Sequence, residues 1–129
     1  MFGLFKKQEP SARKGLRLEF ERVTAMLRSS DNLSQMAVGH SINMANSIFA
    51  KRFQSVDSFR LLPRTQKMEF IHSLSAVEEN AASKDVHFAL GVALFKMWIG
   101  AVVADDVELT CQMFEELNFF SRKGDLPPG

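Results

Sequence analysis

Glu69 and His72 stand three residues apart in Glu69-Phe70-Ile71-His72. This is the spacing with which carboxylate-bridged di-iron bundles turn two ligands onto one helix face. Such a centre needs a second motif of the same kind and two further glutamates, and the inward-facing positions of the other helical segments offer none. His40 and His87 have no partner at ligand spacing, and Cys111, the one cysteine, cannot build a cysteine-based zinc site. The expectation is therefore no metal and no cofactor. Cys111 falls on an apolar stripe with Glu108, Glu115 and Glu116 as its charged neighbours. That setting suits a small buried hydrophobe and disfavours a nucleophilic thiolate. Lys96 is the more unusual group, because it interrupts an otherwise apolar run beside Val92, Phe95 and Met97. A lysine held there could serve as a nucleophile or an anion ligand. More commonly such a side chain carries its ammonium to the edge of the fold or pairs with a carboxylate. No nucleophile elbow, P-loop or dinucleotide fingerprint is present, so the sequence does not read as an enzyme.

These groups must be positioned by helices. The four prolines are Pro10, Pro63, Pro127 and Pro128, and no Asn-Gly, Asp-Gly or Gly-Gly pair offers a tight hairpin. Apolar residues recur at intervals of three and four, which predicts an all-α, single-domain bundle of about five helices. The first spans residues 11–28, with Leu16, Phe20, Val23 and Leu27 inward. The second starts at Asn32, with Gln35 in the capping-box position, and runs to about Phe53. It carries two stripes, one of Leu33, Ala37, Met44 and Ile48, the other of Val38, Ile42, Ala45, Phe49 and Phe53. Residues 54–62 read as a connector with room for one helical turn, and Pro63 fits the first turn of a third helix ending near Ala82. The fourth, residues 84–104, is apolar nearly all round, with Ser83 as its cap and Asp85 near its positive pole. The fifth opens on Asp105 and Glu108 as a capping box, buries Val107, Cys111, Phe114 and Leu117, and ends at Gly124 in a left-handed position. The organisation is a mobile segment over residues 1–10, the bundle over 11–124 and a disordered tail over 125–129.

At 129 residues the chain supplies one core, and the composition of 46% apolar and 24% charged residues excludes a disordered or disulfide-stapled class. Twelve Phe and seven Met accompany one Trp and no Tyr. The formal charge of +1 hides an imbalance: residues 1–72 hold 12 basic and 6 acidic side chains, and residues 73–129 hold 4 and 9. The basic half is diluted by Glu9, Glu19 and Glu21 and lacks a recognition motif, so nucleic acid is not the expected partner. Phe2, Leu4, Phe5, Lys6 and Lys7 could make a weak peripheral contact with a membrane surface. The run from Val86 to Ala104 is long enough to span a bilayer, but Lys96 near its centre favours a buried helix.

Two apolar stripes on the second helix and an all-apolar fourth exceed what five helices readily enclose. The leading expectation is a cytoplasmic, non-enzymatic interaction module such as an adaptor, regulator or chaperone-like subunit. It would pair with a protein partner or with itself as a homodimer, using Phe49, Phe53, Ile42, Met113 and Phe119 as candidate interface residues. The alternative is a bundle that binds an apolar or anionic small molecule between helices, with Lys96, His72 and His87 as candidate polar contacts.

Overall fold

Asp31, Asp85 and Asp106 each accept a hydrogen bond from the backbone N–H three residues on, at Ser34 (2.7 Å), Phe88 (3.1 Å) and Leu109 (3.0 Å). Each carboxylate satisfies one of the orphan donors at the start of a helix. In the computed structural model, which describes residues 11–125, these caps open three of six helices. They are α1 (Ser11–Arg28), α2 (Asn32–Phe53), α3 (Val56–Arg60), α4 (Arg64–Ala82), α5 (Val86–Val103) and α6 (Val107–Gly124). There is no strand among the described residues, and the chain is an all-α single domain.

The caps differ from those read in the sequence, for local reasons. Asp85, not Ser83, caps α5, and Asp106, not Asp105, caps α6. Asp105 takes a left-handed backbone (φ 61°) in the turn and turns its carboxylate to Arg60. Gln35 is not part of a capping box either. Its amide donates to the carbonyls of Arg28 and Ser30, both at 3.1 Å, and so fastens the turn between α1 and α2. The sixth element, α3, comes from the expected connector. Ser55 caps it, and it places Phe59 in the core with no exposed surface.

Phe59 joins an aromatic cluster that accounts for much of the phenylalanine excess. Phe49 lies 5.3 Å from Phe53, 5.3 Å from Phe59, 5.8 Å from Phe70, 5.9 Å from Phe95 and 6.2 Å from Trp98, centroid to centroid. These tilted and edge-on pairs suit the ring quadrupoles and add to the stabilisation from burial. Four helices, α2 to α5, are tied together at this point.

The central helix is α5. Ten of its 18 residues are buried, and it packs against α4, α2, α6 and α1. It is the single described helix long and apolar enough to cross a membrane by length and composition. Its other principal neighbours are set by glycines. A Cβ on Gly91 would fall 2.4 Å from the Ser41 Cβ, so α5 and α2 cross in close contact there. A Cβ on Gly39 would fall 1.9 Å from the Phe120 carbonyl oxygen, and one on Gly124 2.3 Å from the His40 nitrogen. Gly124 therefore serves the α2–α6 crossing; it lies within the helix, and Asp125 follows as its cap. Asp125 also accepts from Asn43 Nδ2 at 2.8 Å, which ties it to the bundle. The remainder of the expected tail and the whole of residues 1–10 lie outside the described residues.

Three inward assignments on α6 are corrected. Val107 and Phe114 are 66% and 54% exposed, and Cys111 is exposed as well. The buried stripe is Leu109, Met113, Leu117 and Phe120. The close crossing with α2 at Phe120 and Gly124 orients that face inward.

Candidate functional site

α2 presents its two stripes to opposite environments. Val38, Ile42, Ala45 and Phe49 are buried, with Phe53 half-buried against the aromatic cluster. On the other side Leu33 is 76%, Met44 44% and Ile48 59% exposed. At 100° per residue Leu33, Ala37, Met44 and Ile48 fall within about 60° of arc, so they form one apolar strip along the outside of the helix. Asp31 stands at one end of the strip, with Lys51 and Arg52 at the other. The Asp31 carboxyl is held below its ordinary range, first by the hydrogen bond from the Ser34 backbone and further by the nearby His87.

The residues expected to form an interface are placed differently. Ile42, Phe49 and Met113 are buried in the core and present no surface. Phe53 packs among the aromatic rings under the Arg52 guanidinium, 5.2 Å from its centroid. Phe119 alone of the five keeps an exposed ring, 37% accessible, with the Arg28 guanidinium carbon 4.0 Å over one face while the head pairs with Glu116 at 2.8 Å. The exposed stripe was visible in the sequence as one of two. Polar His40, Ser47 and Lys51, which share its side of the helix, were the signal that this stripe faces solvent.

Lys96, His72 and His87 are not brought together. Lys96 reaches across to α4, where its Nζ lies 2.6 Å from Glu78 Oε1 and 3.3 Å from Ser75 Oγ. His72 is exposed on α4, and His87 is half-buried on the first turn of α5 near Asp31. Glu69 and His72 both face solvent, and the described residues contain no group of three or more His, Cys, Asp or Glu side chains able to hold a metal.

Two depressions merit description. A groove of ≈ 460 Å³ between α1 and α6 is walled by Arg17, Glu21, Arg28 and Glu116, whose charges are engaged with one another. A smaller cleft of ≈ 120 Å³ lies between α2, α5 and α6, beyond the Gly39 crossing. Its walls are Phe95, Trp98, Phe114 and the side chains of Asn43, Asn46, Asn118 and Ser121. Trp98 is oriented by a hydrogen bond from its Nε1 to the Thr110 carbonyl at 3.2 Å and lies 5.9 Å from the Phe114 ring. Asn43 is fully engaged: its Nδ2 donates to the Ser121 carbonyl at 3.0 Å, and its Oδ1 accepts from the Ser121 hydroxyl. Sequence reading missed this cleft because its residues come from three helices and carry no charge.

No family model matches the chain, and no curated protein or solved structure is similar to it.

Proposed function

We propose that the protein is a cytoplasmic, non-enzymatic interaction module that self-associates through the outer strip of α2. The observation that carries this reading is the strip of Leu33, Met44 and Ile48, left open although α5 finds cover on several sides. A second copy is the occupant favoured by the pattern itself. When two α2 helices run antiparallel about an axis between His40 and Ser41, Leu33 of one copy meets Ile48 of the other, and Ala37 meets Met44. A strip that is its own complement under a two-fold rotation is what an isologous interface requires. The exposed thiol of Cys111 accords with a reducing compartment.

Light scattering during size-exclusion chromatography tests the reading. At about 100 μM, where association with a Kd near 1 μM is nearly saturated, the protein is expected to run as a dimer. Met44→Glu or Ile48→Glu should convert it to monomer. Leu18→Glu and Met26→Glu, on the exposed side of α1, should leave the dimer intact. A monomeric wild type, or equal dissociation by the α1 substitutions, overturns the proposal.

A further inference from the structure

The cleft between α2, α5 and α6 combines aromatic walls with neutral polar side chains, and none of its groups is ionised. Its floor and one wall are aromatic, from Phe95, Trp98 and Phe114. Its rim carries Asn46 from α2 and Asn118 from α6. Asn43 and Ser121 bond to each other in both directions and hold the two helices in register behind them. Asn46 and Asn118 have no such duty, since neither side chain makes a hydrogen bond to another described residue. Each offers one Oδ1 acceptor and one Nδ2 donor pair. Phe114 is 54% exposed at the mouth, so its ring is open to an incoming molecule.

We infer that this cleft binds a small, neutral, planar molecule whose edge carries a donor and an acceptor side by side, as in a single aromatic ring bearing a carboxamide. The ring would lie against Trp98 and Phe114, where face or edge contacts are favourable. The carboxamide would exchange hydrogen bonds with Asn46 and Asn118, whose amides match it donor to acceptor. The size agrees: a cavity of about 150 Å³ holds one benzene, and ≈ 120 Å³ with an open mouth accommodates one ring with its substituent outside. An anionic ligand is disfavoured, because the cleft wall contains no cation. This site is separate from the outer strip of α2, since Asn43 and Asn46 lie on a different side of that helix.

Trp98 is the only tryptophan in the chain, so its fluorescence reports occupancy directly. Benzamide is the probe, with benzoate and benzene as matched comparisons. Benzamide is expected to change Trp98 emission saturably in the millimolar range, and to shift amide resonances of residues 43–46 and 114–121. It should bind at least about tenfold more tightly than either comparison, since a site made to hydrogen-bond a ligand rejects analogues that leave its polar groups unpaired. Asn118→Leu and Asn46→Leu should each remove that preference while benzene binding persists. Asn118→Asp, which keeps the side chain's size, serves if the leucine variants fail to fold. An absent or non-saturable response, benzene equal to benzamide, or variants that retain the preference overturns the inference. Because the dimer test reads mass and this one reads Trp98, either can fail alone.

Discussion

At the scale of single residues, short polar side chains close the helix starts, and at Asp31 such a cap is linked to pH. Its carboxyl titrates below the ordinary value in the folded protein because the Ser34 N–H bonds to the charged form, with His87 adding a smaller attraction. A depressed folded value means that the stabilisation is complete above the unfolded value near 3.9 and is lost as pH falls through the folded one. Asp31→Ala should therefore be less stable than wild type in urea at pH 6, and the difference should close between about pH 5 and pH 2. A difference that stays constant across that range would show that the carboxylate's charge is not involved. Lys96 shows what one residue in a sequence can and cannot reveal. That a lysine inside an apolar run must find the edge or a carboxylate was legible. That Glu78 and Ser75 supply the destination was not, because they lie 18 and 21 residues away on α4 and bear no mark of their role.

At the scale of helices, the periodicity of three and four located five of the six elements to within a few residues. α3 was legible only as room for one turn, because a five-residue helix is too short to display a period; Val56, Phe59 and Leu62, which pack on the core, and the capping Ser55 were its traces. The inward face of α6 was misjudged because its apolar residues form two neighbouring stripes that share Leu117, and the one through Leu109, Met113 and Phe120 is the one that meets the core. Glycine positions, in contrast, carry consequences that can be measured. Gly39→Ala puts a methyl group against the Phe120 carbonyl, where backbone rather than a flexible side chain must yield. It should destabilise by about 2–4 kcal/mol, at or above the upper end for overpacking. Gly15→Ala meets nothing within 4 Å on α1 and should stabilise by about 0.5–1 kcal/mol through helix propensity. Urea denaturation midpoints check both, and a destabilised Gly15→Ala or a neutral Gly39→Ala would contradict the helix placements.

At the scale of the molecule, the charge imbalance along the sequence resolves into pairing between its halves. Arg13 meets Asp106, Arg28 meets Glu116 and Arg60 meets Asp105, each joining a basic residue of the first 72 to an acid of the remainder. Two of these pairs fasten α1 to α6, while α1 packs only lightly on α5, α2 and α6. Arg28–Glu116 is largely exposed and Arg13–Asp106 partly so, and pairs at the surface contribute little and are screened by salt. Amide hydrogen exchange should accordingly find α1 opening at lower free energy than α5, and raising salt from about 0.05 to 1 M should accelerate exchange in α1 while leaving α5 unchanged. Uniform protection across both helices would show that α1 belongs to one cooperative unit with the rest.

The aromatic cluster has a consequence in time as well as in space. Its members fall between Phe49 and Trp98, so four consecutive helices can close it from contacts of modest sequence separation. Short-range contacts form early because little loop entropy opposes them. The crossing of Gly39 with Phe120 and Gly124 spans some eighty residues, and it awaits α6. On a ribosome, the middle of this protein can thus collapse around its phenylalanines while α6 is still unmade. The groove on α2 that will receive α6 then stands open until that later, glycine-bearing helix packs into it.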